Sequence, residues 1–293
     1  MNNILGINIV EVEENHPYFT VENGVLFDKQ KKKLFAYPIG KSGEYIVPNS
    51  VIEVAQYAFY SCENLTSISI PSTVEKIGVW AFGNCTKLTK VEIADGVKTI
   101  ESNAFRNCSQ LKNIIRPDSV KELGGLAFDG CKNLETIMLS SSIKELEEHM
   151  FDGCSNLKKI ELPKDMTIIG NYAFKDCSSL YEVIILEELK EIRLGAFFGC
   201  TKLSHLYLPK GLEIIESEAF RNCSSLIELK IPDNIVSMGT LTFYECTALQ
   251  QIVLPEKLEE IGYMNFYECS SLRFVKIPSN VTKIEKKCFL EMF

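Results

Sequence analysis

The sequence predicts an α/β repeat solenoid in which every coil contributes a short parallel strand and a short helix. Three regularities that share a period of 23 residues support this prediction. Cysteine recurs at this interval from Cys62 to Cys269, phenylalanine stands three positions before each of these cysteines, and leucine stands three positions after. A fixed period of this length is typical of repeat architectures, in which no unit buries its apolar face alone and neighbouring units must stack.

Each unit begins with a predicted strand. In LTSISI at residues 65–70, apolar and polar residues alternate at the end of the segment, as in a short strand with one buried face. Pro71 follows, and most other units have proline at the same position. Because proline has no N–H group to donate, it ends the strand. Like residues of successive strands are therefore expected to lie about 4.8 Å apart.

The second part of each unit predicts a short helix. Ala81, Cys85 and Leu88 have the spacing i, i+4 and i+7, and Phe82 stands beside Ala81. This spacing places apolar side chains on one face of one or two helical turns. The expected coil is therefore strand, corner, short helix and corner.

The repeated pattern IGxxAFxxCxxLxxIxIPxxV, which runs through residues 45–293, resembles the BspA-like leucine-rich repeats of bacterial and protist surface proteins. The resemblance implies a leucine-rich-repeat right-handed superhelix of ten to eleven units. It also implies cell-surface display or secretion and the binding of a partner. It brings no catalytic motif and no cofactor.

Residues 1–44 are expected to form a partial coil and a β-hairpin or meander insertion of the kind that such proteins carry. Asn23-Gly24, between two apolar runs, is a strong signal for a hairpin turn. Ile7 keeps the spacing of a repeat strand, and the last unit stops at Phe293 before it is complete. Because both ends lie within a coil, we expect the natural array to be longer.

The charge of the chain disfavours nucleic acid as a partner. The formal net charge is −8 and the sequence pI is about 5.2, so most of the surface repels a polyanion. No apolar run approaches the roughly 20 residues that a membrane-spanning helix needs. The N-terminal stretch MNNILGINIVEVEEN shows no visible signal peptide.

The eleven cysteines leave three interpretations open. Structural zinc needs ligands that converge on one point, whereas these residues are strung along a line without C-x-x-C pairs. Disulfides between neighbours in the column have an acceptable Cα separation of about 4.8 Å, but parallel Cβ vectors keep the Cβ atoms too far apart. We therefore interpret the cysteines as buried, reduced thiols that act as small apolar residues.

Catalytic chemistry is not expected. The histidines are His16 in the hairpin segment, His149 in a corner and His205 on a strand, and their repeat positions suggest no Ser/His/Asp set. Glycines recur before the predicted helix as single corner residues and do not form a phosphate-binding loop. The sequence predicts no catalytic residue, no cofactor and no metal ligand.

Candidate partner-binding residues come from the two outward columns of the predicted strands. Solvent-facing positions in a repeat protein should be polar, yet several here are apolar or aromatic. Contiguous exposed apolar side chains often mark an interaction site, although ordinary β-propensity on a sheet surface also favours Ile, Val and Tyr. The candidates are Ile115, Met138, Ile184, His205, Tyr207 and Phe274.

Two functions remain open. A non-catalytic binding or adhesion module would recognise a protein or another cell-surface macromolecule through its strand face. An intracellular or purely structural scaffold would use the array only to set a distance and would have no specific ligand. The resemblance favours the first function.

Overall fold

The structure, a computed structural model, describes residues 8–115 and 118–290, with the side chain of Ile115 also left out. The chain divides into two compact units, Met1–Ile143 (unit 1) and Lys144–Phe293 (unit 2). Within each unit, strands 23 residues apart in sequence pair in parallel, as Ile68 does with Val91 and Ile192 with Ile215. This register confirms a solenoid of stacked coils.

The strands described in unit 1 form two sheets. Their bounds are β1 Phe19–Glu22, β2 Val25–Asp28, β3 Lys33–Ala36, β4 Gly43–Ile46, β5 Glu53–Val54, β6 Leu65–Ile70, β7 Lys76–Ile77, β8 Lys90–Ile93, β9 Thr99–Ile100, β10 Asn113–Ile115 and β11 Glu122–Leu123. One sheet has the order β1-β2-β3-β5-β7-β9-β11, and the other has the order β10-β8-β6-β4.

The strands described in unit 2 also form two kinds of ladder. Their bounds are β12 Glu145–Leu146, β13 Lys159–Glu161, β14 Ile168–Ile169, β15 Glu182–Ile184, β16 Glu191–Ile192, β17 Ile214–Ile215, β18 Glu228–Lys230, β19 Ser237–Met238, β20 Gln251–Val253, β21 Glu260–Ile261, β22 Phe274–Lys276 and β23 Lys283–Ile284. We call β13-β15 and β18-β20-β22 the first ladder of unit 2, and β12-β14-β16-β17-β19 and β21-β23 its second ladder.

The predicted N-terminal hairpin is confirmed. Strands β1 and β2 pair antiparallel, with Glu22 opposite Val25. Asn23 and Gly24 between them have φ angles of 51° and 78°, which suit a tight turn with two left-handed residues. Strand β3 then pairs antiparallel with β2 and parallel with β5, which joins the hairpin to the stacked coils. The division of the chain after residue 44 stays a prediction.

The predicted helix in each coil is wrong, because the described residues contain turns in its place and no helix. In one coil, Ala81 N donates to Gly78 O at 3.1 Å, within the coil. The next amide, Phe82 N, donates instead to Ala104 O of the following coil at 2.8 Å. Alternate amides therefore bond within a coil and between coils, a pattern that an α-helix does not allow.

Left-handed residues explain why no helix forms at these corners. The residue before the cysteine and the residue four positions earlier have positive φ, as in Trp80 at 55° and Asn84 at 60°. A helix of L-residues does not continue through such a conformation. The corner also suits Asn and Gly, which tolerate positive φ at low cost. The residue before the cysteine is accordingly Asn84, Asn107, Gly130, Gly153, Gly199 or Asn222 in six of the coils.

The phenylalanine column forms the centre of each unit. The rings of Phe59 to Phe266 are fully buried. In unit 2, successive rings stack nearly parallel, with centroids 5.3 Å apart for Phe174 and Phe197 and 5.5 Å apart for Phe197 and Phe220. This separation lies within the range of favourable stacking and exceeds the 4.8 Å expected for the strands.

The cysteines are free and buried, and their thiols also have hydrogen-bonding partners. Cys85 Sγ donates to Phe59 O at 3.0 Å, and Cys200 Sγ donates to Phe174 O at 3.1 Å. The same carbonyl of Phe59 already accepts the amide of Cys62 at 3.1 Å. The thiol therefore fills a small apolar space and adds a weak bond between coils, which alanine would not provide.

Candidate partner-binding surface

Three of the predicted residues lie together in unit 2. Ile184, His205 and Tyr207 line a groove of about 750 Å³ on the first ladder. The groove lies across four successive coils, and its walls also include Glu182, Glu228, Lys230, Gln251 and Val253. These five residues occupy the same outward columns of the repeat as the predicted residues. Their positions in the repeat therefore indicate from the sequence that they lie on the same face.

The groove lies where the first ladder is interrupted. Strand β15 pairs with β13, and β18 pairs with β20, but the intervening segment His205–Tyr207 pairs with neither side. In the described part of the chain, the backbone amides and carbonyls of these three residues form no backbone hydrogen bond. Just before this segment, Ser204 O accepts a hydrogen bond from Ile227 N of the next coil at 3.3 Å. Backbone donors and acceptors are therefore open to a ligand at the groove.

Apolar and aromatic side chains surround these open backbone groups. Tyr207 is 56% exposed, Val253 is 45% exposed and Ile184 is half-buried. Phe274 does not line the groove, but it lies in register beside Gln251 and is 53% exposed. Exposed apolar side chains next to backbone groups that lack hydrogen bonds are suited to contact with another macromolecule.

Acidic side chains surround the groove, and Lys230 is a basic residue of its wall. The Tyr207 hydroxyl donates to Glu187 Oε1 at 3.1 Å, and this hydrogen bond raises the pKa of Tyr207. Glu228 accepts a hydrogen bond from Gln251 Nε2 at 3.0 Å, and Glu182 pairs with Lys159 at 3.1 Å. Glu187 could not be predicted as a residue of this site, because it stands in a corner 20 residues before Tyr207.

The remaining two candidates belong to unit 1. Met138 is 76% exposed, and its coil has only an isolated bridge, from Thr136 to Asn113, in place of a strand. The backbone of Ile115 ends β10, while its side chain lies outside the described residues. Neither residue lines the groove of unit 2.

The described residues contain no cluster of side chains that could bind a metal ion. No group of three or more His, Cys, Asp or Glu side chains that could hold a metal ion occurs in residues 8–115 and 118–290. No helix in the described part of the chain is long and apolar enough to cross a membrane. The geometry of the groove supports binding through apolar contact and backbone hydrogen bonds.

The fold defines a class: solenoids built from stacked repeats whose strands pair in parallel. The family model for the BspA type leucine rich repeat region, in six copies, matches residues 31–125, 81–204 and 167–292. The chain belongs to this family.

Solved structures show the same fold. A leucine rich cell surface protein from Faecalibacterium prausnitzii A2-165 is 25% identical, with a TM-score of 0.60, over 94% of this chain and 86% of that chain. A leucine-rich repeat protein from Eubacterium ventriosum is 19% identical, with a TM-score of 0.58, over 94% of this chain and 82% of that chain. No match was found among curated proteins.

Proposed function

We propose that this protein is a non-catalytic binding or adhesion module, displayed on a bacterial cell surface or secreted, that recognises a protein or another cell-surface macromolecule. The groove of unit 2 on the first ladder is the proposed site. The observation that carries the proposal is the open backbone of His205–Tyr207 beside the exposed side chains of Tyr207 and Val253.

The family and the solved relatives support display at the surface. The Faecalibacterium prausnitzii protein, at 25% identity, is named a leucine rich cell surface protein. The repeat family to which this chain belongs supplies a scaffold for binding, because stacked coils create extended surfaces.

The chemistry of the groove favours a protein partner. The exposed side chains of Tyr207 and Phe274 supply rigid apolar area, which is enriched in protein interfaces. Glu182 is paired with Lys159, and Glu187 and Glu228 outnumber Lys230 at the groove. This small acidic excess favours a partner segment with basic residues, so salt should weaken the complex slightly.

The double substitution Ile184→Ser with Tyr207→Ser tests the proposed site. Capture of proteins from host mucosal or bacterial-surface extracts should be lost, because two of the three accessible apolar or aromatic side chains of the groove are removed and Val253 alone remains. Stability should change by about 1 kcal/mol or less, because Tyr207 is exposed and Ile184 only half-buried. Capture would be measured by quantitative mass spectrometry after pull-down with the full chain, and stability by urea unfolding.

Ile46→Ser is the matched control, because Ile46 is a 74% exposed strand residue of unit 1 that does not line the groove. It should capture the same proteins as the unmodified chain. If the double variant captures them equally well, the groove is not the binding site. If no protein is recovered by any form, the scaffold function, which needs no specific ligand, replaces this proposal.

A further inference from the structure

The turn that precedes the N-terminal hairpin depends on a single histidine ring. Two backbone amides at the start of β1 donate to His16 Nδ1, Tyr18 N at 3.2 Å and Phe19 N at 3.1 Å. Pro17, which lies between, has no N–H group, so the ring nitrogen serves the next two amides of the chain. Local bonds of this kind from a side chain to the backbone fix turns where regular secondary structure begins.

The strand pairing of the hairpin leaves both amides to this ring. Tyr18 O accepts Lys29 N at 2.8 Å, while Tyr18 N bonds to no backbone carbonyl of the described residues. Bonded and open pairs alternate along antiparallel strands, so Phe19 directs its amide away from β2 although it lies opposite Asp28. His16 Nδ1 is therefore the acceptor that the protein provides for both amides.

The chain before the ring is held in the same turn. His16 N donates to Glu13 O at 3.1 Å, and Asn15 between them has a φ of 64°. The His16 ring packs against Phe19, with centroids 5.3 Å apart, and Phe19 contacts Phe35 of β3 edge to face at 5.6 Å. His16 thus links the segment of residues 8–15 to the outer strand of the sheet.

Only the neutral ring can make this link. A nitrogen that accepts hydrogen bonds keeps its lone pair, so the neutral His16 ring carries its proton on Nε2. In the imidazolium form both nitrogens are donors, and Nδ1–H would face two N–H groups. Histidine side chains gain this proton between about pH 8 and pH 5. The closed turn holds only the neutral ring, whereas the opened turn admits both forms, so a fall in pH favours the opened turn.

The charged groups around the ring do not replace the lost bonds. Those on β1, β2 and β3 already form an ion pair or accept backbone amides. Glu13 and Glu14 lie just before the ring in the chain, so they attract the imidazolium form and draw it away from the two amides. The charged residues of the surrounding elements are Glu13, Glu14, Glu22, Asp28, Lys29, Lys31 and Lys33.

We propose that His16 is a pH-sensitive switch, whose neutral ring closes the turn of residues 13–19 and whose protonation on Nδ1 releases residues 8–15 from the start of β1. The switch belongs to unit 1 and does not involve the groove of unit 2. It gives the N-terminal segment a bonded form above about pH 7 and a released form near about pH 5.

The test is a titration of the ¹⁵N-labelled full chain from about pH 8 to about pH 5, followed by NMR of the backbone amides and the ring nitrogens. At the start, the ring signals of His16 should show an unprotonated Nδ1 and a protonated Nε2. As the ring gains its second proton, the amide signals of Tyr18 and Phe19 should shift with the same midpoint. Their protection against hydrogen exchange, corrected for the intrinsic pH dependence of exchange, should fall at least about tenfold because both lose their acceptor.

His149 provides a reference within the same spectra. Its Nδ1 lies 2.9 Å from Asp152 Oδ2. Because a carboxylate only accepts hydrogen bonds, His149 Nδ1 carries the proton, and the neutral tautomers of His16 and His149 should be opposite. Protonation of His149 on Nε2 keeps its bond. The amide of Asp152, which donates to His149 O at 3.3 Å, should therefore change its protection by less than about threefold.

His16→Asn is the matched variant, because asparagine offers an Oδ1 acceptor that favours such turns and does not titrate. The protection of the Tyr18 and Phe19 amides should then stay within about threefold across the titration. His16→Ala removes the acceptor, so the protection should be low at every pH. In both variants the pairing of Glu22 with Val25 should persist, which shows that the hairpin remains folded.

Three results would overturn the proposal. The first is a neutral His16 ring with its proton on Nδ1, since that nitrogen could not accept the two amides. The second is unchanged protection of Tyr18 and Phe19 when the ring is protonated. The third is the same loss of protection in His16→Asn as in the unmodified chain, because other titrating groups such as Glu13 and Glu14 would then open the turn.

Discussion

Alkaline pH should unfold this protein through its cysteine column. Burial raises the pKa of the thiols above the ordinary value of 9.0, and the pKa of Cys62, Cys269 and Cys288 reaches about 12. The thiols whose pKa is raised in this way are Cys62, Cys108, Cys131, Cys177, Cys200, Cys223, Cys246, Cys269 and Cys288. They remain protonated in the folded chain at a pH where an unfolded chain has lost these protons.

The sign and size of the effect follow from this difference in pKa. A raised pKa in the folded state gives stability that is complete below the unfolded pKa and is lost as the pH rises. At about pH 10, an unfolded thiol of pKa 9.0 favours unfolding by about 1.4 kcal/mol. Nine such thiols together contribute on the order of 10 kcal/mol, which is comparable with the whole stability of a typical domain. Unfolding is therefore expected between about pH 9 and pH 10.5.

The assay combines circular dichroism with the ultraviolet absorbance of the thiolate during a pH titration. Both signals should change together, because the thiols ionise only when the coils separate. Urea unfolding at several pH values gives the free energy of unfolding at each. A count of thiols in denaturant without reductant should give close to eleven, since the cysteines are free.

The double variant Cys223→Ala with Cys246→Ala isolates the contribution of the thiols from that of other titrating groups. It should be less stable near neutral pH, since it loses the bonds from these thiols to Phe197 O and Phe220 O. Its free energy of unfolding should nevertheless fall less between about pH 8 and pH 10, by about 1.4 kcal/mol for each thiol removed. An unchanged pH dependence, or thiolate absorbance that appears before unfolding, would refute the reasoning.

Two further predictions concern the corner and the core. Asn222 has a φ of 55°, which alanine adopts less readily than asparagine or glycine. Asn222→Ala should therefore lower the free energy of unfolding in urea by about 1 kcal/mol, and Asn222→Gly should lower it by less. An equal loss for both variants would argue against a left-handed corner. Phe197 is fully buried between Phe174 and Phe220, so Phe197→Ala should lower the free energy of unfolding by about 3–5 kcal/mol. Phe274 lies on the exposed strand face, so Phe274→Ala should lower it by less than about 0.5 kcal/mol. Similar losses for the two phenylalanine variants would contradict the stacked column.

Much of the fold could be predicted from the sequence because each coil repeats the environment of the one before it. The alternation that ends in Ile68 and Ile70 indicated a strand, and the paired residues of β6 and β8 confirm its register. Asn23-Gly24 located the hairpin turn. The helix prediction failed because Ala81, Cys85 and Leu88 have a helical spacing although the left-handed residue Asn84 lies between them.

The signal for that turn was present in the sequence. Asn84, Asn107 and Asn222 stand at one repeat position, directly before the cysteine, and glycine takes the same position in other coils. A column of Asn and Gly indicates positive φ, which a helix interior excludes.

The groove on the first ladder could be predicted only in part. The sequence placed Ile184, His205 and Tyr207 at outward positions of the strands, where they are accessible. No residue type in this coil indicates that strand pairing in the first ladder is interrupted there. The buried polar residues of unit 2 did have a signal, because Thr242 and Asn265 interrupt a column of small apolar residues. A buried polar residue in such a column needs a partner, which is what the structure leaves open at Asn265 Nδ2.

Crystallographic measurement of the corners tests the central claim, that coils stack in register through bonds between successive turns. The rings of Phe174, Phe197 and Phe220 should lie in a row with centroids about 5.5 Å apart, as stacked aromatic pairs do. Phe197 N should donate to Ala219 O of the next coil near 2.8 Å. Helical corners with amides bonded four residues back, or phenylalanine rings dispersed through the interior, would contradict the account.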